Sequence, residues 1–389
     1  PPSHDPLPRL HEVVRARAEK VVVLDDDPTG TQTVHGVPVL TEWSVDALAA
    51  ELLGDAPAIF VLTNSRSLPL ERARHINREI GHALTEAGRR TGRRFVVASR
   101  SDSTLRGHFP GEVEALAEGL GWQFDAWLLA PFFAEGGRLT VDDVHYVGDG
   151  PWLIPAAQTE SARDAAFGYR SSNLRAWVAE KSHGSINAAD VASVSLQTIR
   201  TGGASAIAEQ LRTLHGGTIC VLNAATTDDL AEVVAGVIEA EAMGKRFLYR
   251  TAASFVQLRA GITSRPLLTA HDLSLPSGGG LIIAGSYVPR STAQIEQLVV
   301  VPDIVTVEVG VQALLDDQQR ATEIERVTGT IDAALGEHHD VAVYTSRHLV
   351  TGDDANASLA IGRTVSDGLV AIVRGLHVQP RYLVAKGGI

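Results

Sequence analysis

The sequence has one cysteine, no long hydrophobic run and no surplus of basic residues. With only Cys220, no intramolecular disulfide bond can form, which agrees with a reducing compartment. No uncharged apolar stretch reaches the roughly 18 residues that a membrane span needs. Residues 1–10 contain no basic segment followed by an apolar one, so no signal peptide is predicted. We therefore expect a cytoplasmic protein without a membrane partner.

The charge balance also argues against nucleic acid as a partner. The 34 Lys and Arg residues face 46 Asp and Glu residues, a net charge of −12, whereas binding to phosphate backbones needs a basic surplus. The 389 residues, 44% hydrophobic, are typical of a globular protein of two or three domains. The 14 histidines are scattered without the spacing of a zinc site, and no metal ligands are assigned. An anionic ligand would need a local basic or amide-lined site.

Short apolar runs that alternate with longer helical patterns predict an α/β protein with parallel strands and crossover helices. In the first series, strands are predicted at 21–24, 59–62, 95–98, 127–130, 219–222 and 247–249, and helices at 45–53, 70–89, 112–120, 204–214 and 228–241. In the second series, strands are predicted at 281–284, 304–307, 341–344 and 382–385, and helices at 292–299, 321–335 and 355–373.

A segment rich in Pro, Ser and Gly separates the two series. Residues 264–280 predict a linker between an N-terminal domain, 1–263, and a C-terminal domain, 281–389. Each domain is expected to be a mostly parallel sheet flanked by helices, with a cleft between the two domains. The alternative is a long surface loop inside one domain.

The strongest local signal is the stretch VVVLDDDPTGTQTVHG, in which a strand ends in Asp25, Asp26 and Asp27. Ligands of open α/β sheets bind beyond the carboxyl ends of strands, so these acids lie where a site is expected. Because neighbouring strand residues point to opposite faces, at most two of the three are expected to share a pocket. The alternative is a polar strand end that caps the next helix.

In the stretch FVVASRSDSTLRGHFPGE, a second predicted strand is followed by a polar loop that contains Asp102, Ser103, Thr104 and Arg106. An arginine beside hydroxyl groups suits a carboxylate ligand, because its fork donates two parallel hydrogen bonds. The alternative is an Arg–Asp salt bridge in a capped turn. At the end of a third strand, VLTNSR, Arg66 is a candidate second contact to an anion, or part of a helix-capping loop.

In the second series, two strand ends carry glycine-rich turns that could bind phosphate. The stretch LIIAGSYVPR runs through Gly285 and Ser286 into a helix, whose N-terminal amides and dipole attract anions. The stretch VAKGGI ends another strand with Lys386, Gly387 and Gly388. The alternatives are a tight connection and a chain tail. With acid-lined and arginine-lined loops in the first domain, these turns suggest phosphoryl transfer.

Three further features are expected to be structural. Cys220 lies in an apolar run and is predicted to be a buried strand residue rather than a nucleophile. The stretch TVDDVHYV at 140–147 predicts a hairpin or an extended edge segment. Glu160 and Asp164 lie one helical turn apart, which favours a solvated helix face over a shared site.

Five segments, in order along nearly the whole chain, resemble the four-carbon acid sugar kinase family, formerly a domain of unknown function. They are DDDPTGTQTVHG, SRSDSTLRGH, EGGRLTVDDVHYV, GSYVPRSTAQI and KGGI. The resemblance implies an N-terminal domain that binds a sugar acid and a C-terminal domain that binds ATP. It also implies transfer of the γ-phosphoryl group to a hydroxyl of threonate, erythronate or an oxo-tetronate.

The motif matches also imply which residues form the two sides of the site. Those on the acid-sugar side would be Asp25, Asp26, Asp102, Ser103 and Arg106, and those on the nucleotide side Gly285, Ser286, Lys386, Gly387 and Gly388. Family members begin the first motif with two acids, whereas this chain has three, which indicates a distinct branch. They also continue beyond the KGGI segment, whereas this sequence ends at Ile389.

We therefore hypothesise an ATP-dependent kinase for a four-carbon sugar acid. An aspartate of the cluster at 25–27 would accept the proton of the attacking hydroxyl, with Asp102 as the alternative base. Arg106, with Arg66, would hold the substrate carboxylate, and Mg²⁺ would bridge the ATP phosphates with few protein ligands. The rivals are a Mg²⁺-dependent lyase or aldolase that uses no nucleotide, and a non-catalytic sugar-acid sensor. A homo-oligomer is the one macromolecular partner that the sequence leaves open.

Overall fold

The chain divides into two compact α/β units. The computed structural model describes residues 5–387, and the chain separates into an N-terminal unit, Pro1–Ser264, and a C-terminal unit, Arg265–Ile389. Each unit is built on a parallel sheet flanked by helices, as the alternating pattern predicted. Within the described residues, no helix is long and apolar enough to cross a membrane.

The N-terminal unit contains an eight-stranded sheet in the order β2-β3-β1-β4-β11-β5-β10-β9. Every strand pair in it is parallel. Its strands are β1 Lys20–Asp25, β2 Val39–Leu40, β3 Ala58–Leu62, β4 Phe95–Arg100, β5 Ala126–Ala130, β9 Ala192–Val194, β10 Thr218–Leu222 and β11 Phe247–Thr251. A separate antiparallel sheet consists of β6 Arg138–Val141, β7 Val144–Asp149 and β8 Trp152–Pro155.

Helices cover both faces of the large sheet. They are α1 Leu7–Arg17, α2 Val45–Leu53, α3 Leu70–Thr91, α4 Gly111–Leu120, α5 Leu174–Lys181, α6 Leu196–Arg212, α7 Thr227–Ala242 and α8 Ala253–Arg259. On β1, Val21 and Val23 belong to one hydrophobic core, and Val22 and Leu24 to the other. This is why β1 is a continuous apolar run rather than an alternating one. Each such side chain contributes about 1.5–3 kcal/mol by its burial.

Several boundaries differ from the predicted ones for identifiable reasons. Helix α6 spans Leu196–Arg212 but has a kink at Gly203, whose φ 60° and ψ −161° are not helical; the part after the kink begins at 204, as predicted, and the part before it was not predicted. Helices α1, α5 and α8 were not predicted, because each is short or follows directly on a strand or proline. The hairpin prediction is confirmed: Asp142 and Asp143, at φ 49° and 63°, form its two-residue turn. Cys220 is buried in β10, as predicted.

The C-terminal unit has a four-stranded parallel sheet in the order β13-β14-β12-β15. Its strands are β12 Leu281–Ala284, β13 Ile304–Val309, β14 Asp340–Thr345 and β15 Leu383–Lys386. Its helices are α9 Ala270–Leu273, α10 Pro289–Leu298, α11 Val311–Leu315, α12 Arg320–Gly336 and α13 Ala355–Arg374. The short α9 lies inside the segment that was predicted as a linker. The core of this unit packs α12 against the sheet through Val327 and Ile331.

Candidate active site

The polar strand ends of the N-terminal unit meet at one edge of its sheet. Strand β4 lies between β1 and β11, and its Arg100 is paired in register with Asp25 on one side and Thr251 on the other. Because the strands are parallel, the loops after β1, β3, β4, β11 and β5 leave from this same edge. This edge, called the crevice below, is the position where open α/β sheets bind ligands. Its buried charged residues include Asp25, Asp26, Asp27, Arg66, Arg100 and Arg250.

The three consecutive aspartates at this edge lie together. Strand β1 ends at Asp25 and the chain then turns, so carboxylate oxygens of Asp25, Asp26 and Asp27 lie within 4.8 Å of one another. The expectation that at most two could share a pocket is wrong, because side chains alternate between faces only inside the strand. All three residues are buried, and each has a different environment.

Asp25 and Asp27 are held by neighbouring groups. Asp25 Oδ1 lies 3.3 Å from Arg100 Nη1, and Gly30 packs so closely that a Cβ there would overlap the Asp25 carboxyl group. Asp27 forms an ion pair with Arg66 and accepts hydrogen bonds from the amide and hydroxyl of Thr29, at 2.8 and 2.5 Å. These contacts give Asp27 a structural function in the turn.

Asp26 differs from its neighbours because its carboxyl group is uncommitted. It is 3% exposed, and neither of its oxygens has a hydrogen-bond partner among the described residues. Burial raises the pKa of Asp26, although the guanidinium of Arg66 opposes this shift. Burial likewise raises the pKa of Asp25 to about 7, against the effect of Arg100. The site thus holds one carboxyl group, Asp25, that can take up a proton near neutral pH, and a second, Asp26, whose pKa is shifted in the same direction.

Asp102, at the start of the DSTLRG loop, has the opposite character. Burial disfavours its charge, but Arg106 and Arg66 outweigh burial and hold its pKa far below the usual range. Arg106 Nε donates to Asp102 Oδ2 at 2.6 Å, and the Thr104 hydroxyl donates to the same oxygen. Arg66 Nη1 lies 3.7 Å from Asp102 Oδ1. Asp102 is therefore a permanently ionised group and a weak proton acceptor.

The antiparallel hairpin holds the DSTLRG loop in place. His145 Nε2 lies 2.7 Å from the Ser103 carbonyl oxygen and so donates to it, while its Nδ1 accepts from the Thr140 hydroxyl at 3.0 Å. Burial lowers the pKa of His145 to about 4, so the ring is neutral. The Tyr169 hydroxyl donates to the Thr104 carbonyl at 2.7 Å. The DDVHYV stretch thus positions the DSTLRG loop through the hydrogen bond of His145 to Ser103.

Sequence reasoning missed several residues of this crevice. Arg250 and Thr251 end β11 and are buried, but the strand was predicted to stop at 249, one residue short of them. Glu112, the second residue of α4, accepts a hydrogen bond from the Ser65 hydroxyl inside the crevice. Asp164 lies 3.6 Å from Arg106 Nη1 rather than on a solvated helix face. Arg250 could have been found in the sequence, because it is the polar residue directly after the apolar run 247–249.

In the C-terminal unit, the two predicted glycine turns lie side by side. Strands β12 and β15 pair, and the Gly285 amide donates to the Lys386 carbonyl at 2.9 Å. Lys386 Nζ donates to Ser291 Oγ at 2.9 Å, and Ser291 Oγ donates to Ser286 Oγ at 3.1 Å. Gly387 has φ 153°, and a Cβ there would lie 3.1 Å from the Ser286 nitrogen. Gly388 lies outside the described residues.

These turns surround the N-terminus of α10. Ser291 is in its first turn, so Lys386 places an ammonium group beside the free amides of that turn. Arg347, which sequence reasoning also missed, donates through Nη1 and Nη2 to the Ser286 carbonyl at 2.9 and 2.8 Å. Amides at a helix N-terminus together with a lysine favour a phosphate group.

One unit thus offers buried carboxyl groups and arginines at strand ends, and the other a glycine turn, a lysine and a helix N-terminus suited to phosphate. These are the parts of a phosphotransferase with separate acceptor and nucleotide domains. Residues 21–259 match the family model of a sugar-binding N-terminal domain, and residues 281–389 that of a nucleotide-binding C-terminal domain. The chain belongs to the four-carbon acid sugar kinase family and is an ATP-dependent kinase that transfers a phosphoryl group to a hydroxyl.

Individual relatives agree with this assignment. A protein of Heliobacterium modesticaldum named D-erythronate kinase is 29% identical over 393 residues, covering 95% of this chain and 83% of that relative. Two solved structures share the fold, each over 91% of this chain and 80% of its own. A Salmonella typhimurium LT2 protein has a TM-score of 0.55 at 16% identity, and a Haemophilus influenzae protein 0.50 at 19%. The nucleotide-binding domain favours the kinase over the nucleotide-independent alternatives.

Proposed function

We propose that this kinase phosphorylates a hydroxyl group of erythronate or a closely related four-carbon sugar acid, with Asp26 as the general base. The erythronate kinase relative supports the choice of acid. The observation that carries the assignment of the base is the Asp26 carboxyl group, which is buried with both oxygens uncommitted. A carboxyl group in this state can accept a hydrogen bond from a substrate hydroxyl without first giving up a protein partner.

In the proposed reaction, the substrate hydroxyl oxygen attacks the γ-phosphorus of ATP. The new O–P bond forms as the bond between the γ-phosphorus and the β,γ-bridging oxygen breaks, and ADP leaves with the electron pair. The hydroxyl proton passes to Asp26. Asp102 is less suited to this step because Arg106 and Arg66 keep it ionised, and a strongly stabilised carboxylate binds protons weakly.

The other predicted acid-sugar residues divide into two groups. Ser103 and Arg106 are partly exposed and remain proposed contacts to the substrate. Arg66 and Thr104 are buried and engaged with Asp27 and Asp102, so we propose that they position the carboxylates instead. Arg100 acts in the same way on Asp25.

ATP would bind to the C-terminal unit through the turn amides at Gly285, Ser286 and Gly387, with Lys386 against the phosphates. We propose that Mg²⁺ arrives as part of the ATP complex. The carboxylates at 25–27 do not fit a resident Mg²⁺ site, because guanidinium groups of Arg100 and Arg66 already pair with two of them. A cytoplasmic location is part of the proposal, because ATP is the phosphoryl donor.

A coupled assay of ADP release tests the proposal. The protein is incubated with ATP and Mg²⁺ and with erythronate, threonate or an oxo-tetronate, each also without ATP. We expect ADP release that depends on an acid, and no consumption of any acid without ATP. Turnover without ATP would instead support the lyase, and acid-induced thermal stabilisation without any turnover would support the sensor. An Asp26→Asn variant serves as the matched control.

A further inference from the structure

We propose that Arg250, at the end of β11, binds the carboxylate of the substrate directly opposite Asp26. Sequence reasoning assigned this task to Arg106 and Arg66. The inference rests on the proposed function, because it assumes that the substrate is a hydroxy acid. It adds the residue that makes the enzyme select acids over neutral polyols.

Among the arginines of the crevice, Arg250 is the one without a carboxylate partner in the described chain. Arg66 pairs with Asp27 and Asp102, and Arg100 pairs with Asp25 and Asp27. Arg106 pairs with Asp102 and Asp164. By contrast, the one hydrogen bond that the Arg250 guanidinium makes within residues 5–387 is a long contact of 3.5 Å from Nη2 to the Arg106 carbonyl. Its Nε has no partner there, which is also true of the Nε atoms of Arg66 and Arg100.

A buried guanidinium in this condition is costly unless a ligand completes its hydrogen bonds. Arg250 is 5% exposed. Asp26, Glu112 and Asp102 attract its charge, but none of these carboxylates forms an ion pair with it, so its N–H groups lose their hydration without acceptors that replace it. A carboxylate accepts two parallel hydrogen bonds from one guanidinium, so a bound acid would satisfy the free N–H groups. A neutral polyol would not supply the opposite charge.

The surroundings of Arg250 offer further free donors. A small cavity of about 10 Å³ beside it is lined by Asp102, Leu105, Leu129, Pro131, Trp177 and Thr251. The Thr251 hydroxyl and the Trp177 indole N–H are both buried and have no partner among the described residues. Two residues with unused donors therefore line the same small cavity as Arg250 and Asp102, and a bound acceptor group could satisfy such donors.

Gly107 shows that Arg250 and Asp26 border the same gap. A Cβ at residue 107 would lie 3.2 Å from Asp26 Oδ2 and 3.3 Å from Arg250 Nη2. Because residue 107 is glycine, no side chain at that position separates the Asp26 carboxyl group from the Arg250 guanidinium, which attract each other without forming a hydrogen bond or an ion pair. A hydroxy acid carries the two complementary groups on one short chain: its carboxylate faces Arg250 and its hydroxyl faces Asp26.

The test compares kcat/KM for erythronate with that for erythritol, the neutral tetrol, in the wild type, Arg250→Gln and Arg106→Gln. We expect Arg250→Gln to lower kcat/KM for erythronate by about 10- to 100-fold, mainly through KM, because a charge-assisted hydrogen-bond pair is lost. The value for erythritol should change little. Acid-induced thermal stabilisation should disappear while ATP-induced stabilisation remains. Arg106→Gln removes a different proposed contact to the substrate, so it should lower kcat/KM for both substrates and leave their ratio in place.

Other results would contradict either the role of Arg250 or the proposed function. An unchanged acid preference in folded Arg250→Gln would overturn the inference, and an equal loss with both substrates would show that Arg250 acts only structurally. A wild type that phosphorylates no four-carbon acid would overturn the proposed function itself. If Arg250→Gln does not fold, Arg250→Lys keeps the charge and loses the fork, so about a tenfold loss on the acid is expected. Full activity of Arg250→Lys would contradict a bidentate contact.

Discussion

Replacing Gly107 by alanine would place a methyl group in the gap between Asp26 and Arg250. The new Cβ would lie 3.2 Å from Asp26 Oδ2 and 3.3 Å from Arg250 Nη2, closer than ordinary van der Waals contact. Both groups would have to retreat by a few tenths of an ångström, and the substrate would have to share the gap with the methyl group. Misplacement of reacting groups by an ångström costs about 100-fold in rate, so we expect kcat/KM to fall about 10- to 100-fold.

Stability will also fall, and a second glycine separates the two effects. Gly107 has φ 122°, a conformation that alanine adopts at a cost of about 1–3 kcal/mol. Gly92, the C-cap of α3, has φ 65°, and a Cβ added there would meet no described atom within 4 Å, so Gly92→Ala carries backbone strain without a clash. Steady-state kinetics and thermal unfolding are measured on both variants. If Gly107→Ala loses stability like Gly92→Ala and keeps wild-type kcat/KM, the substrate does not lie in this gap.

Four further outcomes follow from the site and the core. Because burial raises the pKa of Asp26 and a base must be deprotonated, kcat/KM should rise with pH through an apparent pKa above the usual carboxyl range, and a pH–rate profile without an inflection above that range would contradict this base. Asp26→Asn should lower kcat about 10²- to 10⁴-fold. Lys386→Met should raise KM for ATP about tenfold and weaken nucleotide-induced stabilisation without affecting acid binding, as titration calorimetry would show. His145→Asn should cost about 1–3 kcal/mol in urea unfolding by leaving the Ser103 carbonyl without its donor. Burial raises the pKa of the Cys220 thiol to about 12, so it should react with a thiol reagent at neutral pH only after unfolding.

The sequence was sufficient to predict the strands and the edge of the sheet where the site lies. Apolar runs such as 219–222 are continuous because both faces of the sheet are covered, and that pattern is visible without a structure. The polar residues at each strand end then followed from the rule for parallel sheets. Asp25, Asp102 and Arg66 were placed in one crevice on this basis, and the structure brings them together.

Contacts that depend on turns and on distant segments could not be predicted. The three aspartates converge because the chain leaves the strand at Asp25, and no periodic pattern encodes such a turn. Arg250 reaches the crevice because β11 lies between β4 and β5 in the sheet, although β11 follows β5 by about 120 residues in the chain. His145 reaches the DSTLRG loop through the fold of the hairpin. Sequence separation hides such contacts, since the local pattern shows only which residues are polar.

The carboxyl groups of the crevice differ in their partners, and this difference would allow one edge of the sheet to hold both the proposed base and a fixed charge. Asp102 receives two guanidinium partners and stays ionised, while Asp26 receives no hydrogen bond from the described residues and its pKa rises. Carboxyl groups whose environments push their pKa values apart can take different chemical tasks at one pH. The effect of the arginines therefore depends on which carboxylates they contact. Arg66, Arg100 and Arg106 pair with Asp27, Asp25 and Asp102 and hold these side chains in position. Arg250 forms no ion pair with a carboxylate of the described residues, and under our proposal its charge is left for a ligand whose hydroxyl faces Asp26.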